Sequence, residues 1–439
     1  MVKQAAGAGP AVPLPAADGP GAPVVGMVGG GQLARMTCQA SIGLGVGFRV
    51  LAADPAESAA QVCAGTWLGD YRDSGDLLAF AAGCDVVTFD HEQVPGDRLD
   101  ALERAGVAIR PGSRALRFAQ DKRAMRERLA GMGIACPRFA PVATIGDITE
   151  FAAGQCWPVV LKAVSGGYDG RGVWVCGTAA EAAVVLAHSR ASGLELIAEE
   201  HVAFERELAA LVARSPAGQA AAYPVVQTVQ RDGICREVLA PAQGLSPGRR
   251  AEAQWLALTI AAELGVTGLL AVELFETRGG LLVNELAMRP HNCGHWTIEG
   301  AVTSQFEQHL RAVLNLPLGA PGLAARHAVM VNILGGDDPD LHERLTHVMA
   351  ADPGVKVHLY GKAVRPGRKV GHVTVTGDDL TGLRDRARRA ASYLSHGTEQ
   401  PSADGGQPPA DGGQSSADAG PLPAAGGGPP SGSQAEAGA

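Results

Sequence analysis

A chain of 439 residues, 46% of them apolar, is long enough for about three domains, each with its own buried core. Its formal net charge of -8 argues against a general nucleic-acid binder. No apolar run approaches the ~18 residues of a membrane-spanning helix, and the first residues lack the charged-then-apolar pattern of a secretory signal. Eight cysteines are scattered without a CxxC pair, which fits reduced thiols better than a disulfide framework or a zinc site.

Residues 1–22 are rich in Ala, Gly and Pro, and residues 397–439 are Gly, Pro, Ala, Ser, Gln and Asp with a seven-residue echo. Such composition cannot bury enough apolar surface to offset chain entropy, so both ends are predicted to be disordered. The first folded unit spans 23–119. Residues 24–28 read as a buried strand that turns through GGGQLARM into a helix. Strands at 48–52 and 85–89, a helix over 96–105 and a short strand at 107–109 follow. Alternating strands and helices predict a parallel, Rossmann-type sheet. Gly29, Gly31 and Ala34, with Asp54 beyond, imitate a dinucleotide fingerprint. A glycine-rich turn before a helix can equally bind another phosphate or simply turn tightly.

The second unit begins near Gln120-Asp121-Lys122. A strand at 157–162 carries Lys162 and is followed by Ser165-Gly166-Gly167-Tyr168-Asp169-Gly170-Arg171-Gly172 and a strand at 173–175. Four glycines in eight residues can lay backbone N–H groups over phosphates; the alternative is a plain flexible hairpin tip. Strands follow at 196–200, from Phe204 through Val212 and at 223–229, then a helix over 252–264 that Gly265 can cap.

Two apolar runs, 269–275 and 281–283, flank Thr277-Arg278-Gly279-Gly280 and read as a β-hairpin. With a loop of residues 278–280, Thr277 faces Leu281, Phe275 faces Val283, and Glu273 faces Glu285. Opposed carboxylates on one sheet face repel, and burying them unpaired is costly. Apolar neighbours favour a shared cation over two solvated acids, and Mg²⁺ is often held by one or two carboxylates plus substrate phosphates. Arg289, His291, Asn292 and His295 follow at once. A last small unit, about 324–394, contains HLYGKAVRPGRKVGHVTV. Lys362, Arg365, Arg368 and Lys369 gather four cations around the turn signal Pro366-Gly367. This is either an anion site or a solvated basic loop.

The strand lysine Lys162, GGYDGRG, EEHVAFEREL, NELAMRPHNCGH and YGKAVRPGRKVGH, in this order, resemble the ATP-grasp enzymes. Among those they resemble the N5-carboxyaminoimidazole ribonucleotide synthase family of purine biosynthesis, over about residues 24–393. The resemblance implies an α/β ATP-grasp fold. A Rossmann-like domain would occupy 23–119, an ATP-grasp domain 120–318 with a lid part at about 145–205, and a small C-terminal domain 319–396. Lys122 and Lys162 would meet ATP phosphates, with Gly166, Gly167, Tyr168, Asp169, Gly170, Arg171 and Gly172 closing over them. Glu199, Glu200, His201 and Val202 would line the adenine, and Glu207 would meet the ribose. Gln227 sits where relatives more often carry Glu or His. Asn284 would join the nucleotide, and Glu273 and Glu285 would hold Mg²⁺, or Mn²⁺ in its place. Arg289 would lie near bicarbonate or carboxyphosphate. Tyr168 and Asp169, with Lys362, Arg365, Arg368 and Lys369, would surround 5-aminoimidazole ribonucleotide, joined by Gln32, Leu33, Glu92, His291 and Asn292. Arg289, Tyr168, Asp169 and Lys162 would carry the catalysis.

The same resemblance implies a cytoplasmic homodimer with small-molecule substrates and neither nucleic acid nor membrane as partner. The chain departs from the family pattern at Asp90-His91-Glu92-Gln93 (usually Glu-x-Glu), at Met288 (usually Pro) and at Cys293 (usually Ser). Ala287 stands where many wider ATP-grasp enzymes place an Asn metal ligand, a feature the close family shares. Two alternatives remain at this stage. One is another ATP-grasp ligase, such as formate-dependent glycinamide ribonucleotide transformylase, which the HNCGH and GRK stretches disfavour. The other is a Rossmann oxidoreductase, which leaves GGYDGRG and the paired glutamates unexplained.

Overall fold

The computed structural model describes residues 21–167, 172–336 and 339–398. Nearly all of both low-complexity ends, and Tyr168, Asp169, Gly170 and Arg171, lie outside the described residues.

The N-terminal sheet is parallel, in the order Gly65–Leu68, Gly47–Ala52, Val24–Val28, Val86–Phe89. The expected strand at 107–109 reduces to one bridge, Val87 with Ile109. Pro111 lies two residues beyond and cannot donate to a ladder. The glycine turn does enter a helix, Gln32–Leu44.

A second, antiparallel sheet holds Phe139–Val142, Leu196–Glu200, Val159–Ala163 and Val173–Cys176, in that order. Its Lys162 strand begins two residues later than expected, because Pro158 has no N–H for the ladder. The third sheet is the largest. It runs Gly280–Ala287, Gly268–Thr277, Arg206–Arg214, Val226–Arg231, Ile234–Ala240, His327–Leu334, Lys369–Gly377, Lys356–Leu359. The expected C-terminal unit therefore continues the central sheet, through the pairing of Ile234–Ala240 with His327–Leu334.

The strand Gly268–Thr277 is buried on both faces. Leu270, Val272 and Leu274 pack with Ala257 and Ile260 of the helix Pro247–Glu263. Leu269 and Ala271 pack with Trp296 on the other side. Each fully buried side chain of this size contributes roughly 1.5–3 kcal/mol. Glu273 is one of two residues of this strand that are not fully buried, and the other, Thr277, is at its end.

The hairpin differs from its expected register. Thr277 pairs with Gly280, so the loop has two residues, and Phe275 pairs with Leu282 rather than Val283. The Thr277 hydroxyl donates to the Gly280 carbonyl and accepts from Gly279 N–H, which closes the turn tightly. The register then shifts between Glu273 and Leu274: Leu274 pairs with Val283, and Glu273 with Glu285. Asn284 is the extra residue of a β-bulge. The bulge cancels the shorter loop, so Glu273 and Glu285 stand opposite each other.

Candidate active site

Two clusters of polar side chains meet at the hairpin, where Glu273 of one lies 3.7 Å from His291 of the other. The first surrounds the bulge. Lys122, at the start of the helix Lys122–Gly131, reaches Glu285 at 3.4 Å, and its own N–H bonds to the Val164 carbonyl at the mouth of the glycine-rich loop. Lys162 reaches Glu199 at 2.7 Å and Asn284 Oδ1 at 3.1 Å. Glu199 is fully buried and also accepts from Arg126 at 2.7 Å. Burial alone would raise its pKa, but Arg126 and Lys162 outweigh that and hold the carboxyl at about 2. Burial pushes the Lys162 ammonium down, with Glu199 opposing.

These contacts turn the Glu199 carboxylate towards two cations. Glu200 accepts the Arg138 N–H at 2.8 Å, and Val202 is buried. His201 lies in the loop between Leu196–Glu200 and the next strand. Gln227 and Glu207 sit on neighbouring strands, Gln227 opposite Leu208 and Glu207 opposite Phe275. Burial, with Glu273 close by, raises the Glu207 carboxyl to about 8. Gly166 and Gly172 both have positive φ, 79° and 76°, and Ala163 N–H bonds the Gly172 carbonyl. Together with Gly167 they form the described ends of the loop between Val159–Ala163 and Val173–Cys176.

Glu273 and Glu285 fit a hard dication by donor type. Among the described residues no group of three or more His, Cys, Asp or Glu forms a metal cage. A pair of carboxylates with the remaining positions left to phosphate oxygens and water is the usual Mg²⁺ arrangement.

The second cluster draws on three parts of the chain. Arg289 donates Nε–H to the Glu92 carboxylate at 2.8 Å. His291 Nε2 lies 3.7 Å from Glu273, while its Nδ1 faces Cys293 Sγ at 3.1 Å and accepts from Cys293 N–H at 3.4 Å. Burial holds His291 at about 3 and pushes the Cys293 thiol well up, so a neutral imidazole faces an S–H donor. With Nδ1 accepting, the ring proton sits on Nε2, towards Glu273. Asn292 opens the short 3-10 turn Asn292–Gly294 beside them.

Gln305, fully buried, fixes this loop. Its Oε1 accepts from His291 N–H at 2.9 Å, and its Nε2 donates to the His291 carbonyl at 2.8 Å and lies 3.0 Å from His295 Nδ1. From the C-terminal unit, Lys362 bonds Gln32 across the domains. Ser58 and Gln61 bond the carbonyls of Tyr360 and Gly361 and seat the loop. Arg368 N–H bonds the Arg365 carbonyl around Pro366-Gly367, with Gly367 at φ 74°, so these cations sit on a tight turn. Lys369 begins the strand beyond it. Leu33 is buried inside its helix, one residue from Gln32.

The departures from the family pattern acquire physical roles here. Asp90 caps the helix Gln32–Leu44, accepting Ala34 N–H at 3.2 Å. Burial raises it to about 6, against the nearby charges of Arg289 and Lys362. Asp90 and Glu92 thus supply the two carboxylates of the Glu-x-Glu pattern. Glu57 and Asp90 also crowd the fingerprint glycines. A Cβ on Gly30 would meet Glu57 Oε2 at 2.1 Å, and one on Gly31 would meet Asp90 Oδ2 at 2.0 Å. The chain's own carboxylates occupy the turn where a dinucleotide pyrophosphate would bind, which removes the oxidoreductase alternative.

Sequence reading missed Arg126 and Gln305. Arg126 carried one signal: it is one helical turn from Lys122, on the same face. Gln305 carried none that separates it from ordinary polar residues.

An ATP-grasp domain model matches residues 127–306 and a ribonucleotide synthetase preATP-grasp domain model residues 23–120. A phosphoribosylaminoimidazole carboxylase C-terminal domain model matches residues 328–386. The N5-carboxyaminoimidazole ribonucleotide synthase of Mycobacterium tuberculosis (strain ATCC 25618 / H37Rv) is 55% identical over 380 residues, 86% of this chain and 89% of that protein. Among solved structures, the N5-carboxyaminoimidazole ribonucleotide synthetase of Thermus thermophilus is similar with a TM-score of 0.76 and 40% identity, over 85% of this chain and 98% of that one. The Aspergillus clavatus N5-carboxyaminoimidazole synthase, in complex with ADP and 5-aminoimidazole ribonucleotide, has a TM-score of 0.78 and 32% identity, over 85% of this chain and 98% of that one.

Proposed function

The chain belongs to the N5-carboxyaminoimidazole ribonucleotide synthase family of ATP-grasp enzymes, and from that membership we propose how its site works. The reaction is ATP, bicarbonate and 5-aminoimidazole ribonucleotide giving ADP, phosphate and the N5-carbamate. One observation supports this site assignment most. The bulge opposes Glu273 and Glu285 beside Lys122 and Lys162, Arg289 and His291 follow within six residues, and Arg289 and Lys362 both act on Asp90 of the first unit.

Bicarbonate is a poor electrophile until phosphorylated. Phosphoryl transfer needs chiefly positioning and charge neutralisation. Lys122 and Lys162 orient the phosphates, and the glycine-rich loop that opens at Gly166 and Gly167 contributes backbone N–H groups to them. Glu273 and Glu285 would hold Mg²⁺, or Mn²⁺ in its place, which when bound neutralises phosphate charge. A bicarbonate oxygen attacks the γ-phosphorus and ADP leaves. Arg289 neutralises the resulting carboxyphosphate, and its ion pair with Glu92 fixes its direction. The exocyclic amine of the ribonucleotide then attacks the carboxyl carbon, phosphate leaves, and the amine proton passes to that phosphate. Carboxyphosphate is unstable in water, which gives a closing loop its purpose. Lys362, Arg365, Arg368 and Lys369 hold the ribonucleotide phosphate, and Gln32, His291 and Asn292 face its base and sugar.

On the same footing we assign three domains, 23–119, 120–318 and 319–396, the last continuing the central sheet, a homodimeric assembly and a cytoplasmic setting. Release of ADP from ATP tests the reaction. It should require bicarbonate, and carbamate should form only when the ribonucleotide is also present. Equal release without bicarbonate would reject it.

A further inference from the structure

Resting on the assignment of Lys162 and Glu285 to the nucleotide, we propose that Arg126 is a positioning residue that locks the two halves of the ATP site to each other. Arg126 lies inside the helix Lys122–Gly131 and has no exposure. Its guanidinium uses three corners. Nε donates to Glu199 Oε1 at 2.7 Å, Nη1 to the Val283 carbonyl at 2.9 Å and Nη2 to the Asn284 carbonyl at 2.8 Å.

The acceptors belong to different sheets. Glu199 is on the strand Leu196–Glu200 of the smaller antiparallel sheet. Val283 and Asn284 are at the bulge of the large sheet. Asn284 has no register partner on the neighbouring strand, and Arg126 gives its carbonyl a donor. The second Glu199 oxygen takes Lys162 at 2.7 Å, and Lys162 reaches Asn284 Oδ1 at 3.1 Å. Arg126, Glu199, Lys162 and Asn284 therefore form a closed ring. One corner aims the phosphate lysine, and the opposite corner shapes the bulge that turns Glu285 to face Glu273.

The ring contains two cations and one carboxylate, all nearly or fully buried. Arg126 supplies one of the two cations that neutralise the buried Glu199 carboxylate, whose unpaired charge would be costly. A lysine could not replace it. A compact ammonium cannot span three acceptors on two strands, whereas a rigid guanidinium fork can.

Binding of Mg·ATP to the full-length chain, measured by calorimetry without bicarbonate or ribonucleotide, tests this. Arg126→Lys keeps the charge and loses the fork. Its dissociation constant for Mg·ATP should rise about 10- to 100-fold, as for other groups that hold a ligand-binding side chain in place. Glu199→Gln opens the ring at another corner and should cause a similar rise. The double variant should bind no worse than the weaker single one, because residues of one network act as a unit. The Michaelis constant for the ribonucleotide should stay within about twofold in each, since no side chain of the ring is assigned to that substrate.

Wild-type affinity in Arg126→Lys, additive losses in the double variant, or equal losses for both substrates would each overturn the proposal. If Arg126→Lys does not fold, the Glu199→Gln and Asn284→Ala pair tests the same ring, with additivity again the contrary result. Failure of the wild type to bind Mg·ATP would instead reject the nucleotide assignment.

Discussion

Cys293 offers a sharp test of the imidazole side of the site, because the chain carries a thiol where its relatives usually carry a hydroxyl. The thiol is buried, lies 3.1 Å from His291 Nδ1, and burial keeps it protonated. Its S–H and the Cys293 N–H, 3.4 Å from the same nitrogen, make Nδ1 an acceptor and leave the ring proton on Nε2. Cys293→Ala removes the first donor and leaves the longer one. A neutral hydrogen bond is worth about 0.5–1.5 kcal/mol, and a thiol donor belongs in the lower half of that range. The expected loss is about 0.5–1 kcal/mol, or two- to fivefold in kcat/KM for the ribonucleotide. Cys293→Ser restores a stronger donor and should match or exceed the wild type. Steady-state kinetics with the ribonucleotide varied, beside melting curves, separates this from cavity formation, which would lower the melting temperature of the Ala variant without distinguishing the two substrates. If folded Ala and Ser variants share one kcat/KM, the hydrogen bond does not orient His291 and the reasoning fails.

Glu285→Gln should lower ATP turnover by roughly 100-fold or more, the scale of losing one oriented charge in a phosphoryl-transfer site. Its melting temperature should barely move, because the side chain is 44% exposed. Arg368→Ala should raise the Michaelis constant for the ribonucleotide about 10- to 100-fold, from a charge-assisted hydrogen bond of roughly 1.5–3 kcal/mol. The constant for ATP should be unchanged, and a parallel rise in both would show that the turn supports the fold instead. His309 is buried, bonded to Thr88 at 2.8 Å, and burial holds it at about 3. Its folded pKa is below the unfolded value, so its contribution is present above about pH 6.5 and lost as pH falls towards 3, by up to about 1.4 kcal/mol per pH unit. Urea titrations of the wild type and His309→Gln should therefore converge between pH 7 and pH 5. A stability difference that stays constant would contradict the neutral buried imidazole.

The hairpin shows how much of the site was legible and why the rest was not. Two apolar runs, each carrying a glutamate, and a glycine turn between them are enough to oppose Glu273 and Glu285. The route was wrong at both ends: Thr277 shortens the loop by one residue and Asn284 adds one back. A bulge leaves no periodic mark, since its cause is a partner elsewhere, here the Arg126 fork. Arg126 and Gln305 look like ordinary polar residues of amphipathic helices, and only tertiary contacts disclose the carbonyls they serve. The fingerprint at Gly29 to Ala34 was ambiguous for the same reason, because the carboxylates that fill it come from positions 57 and 90. Continuity of the central sheet into the C-terminal unit was hidden too, because it depends on which edge Ile234–Ala240 presents. The family motifs, by contrast, are contiguous and were readable directly.

The central claim is that bicarbonate, and not the ribonucleotide, receives the phosphoryl group. Turnover in ¹⁸O-labelled bicarbonate with unlabelled water tests it. If bicarbonate oxygen attacks the γ-phosphorus, the inorganic phosphate must carry one ¹⁸O atom from bicarbonate when carboxyphosphate breaks down. Phosphate free of label, with carbamate still formed, would contradict the account.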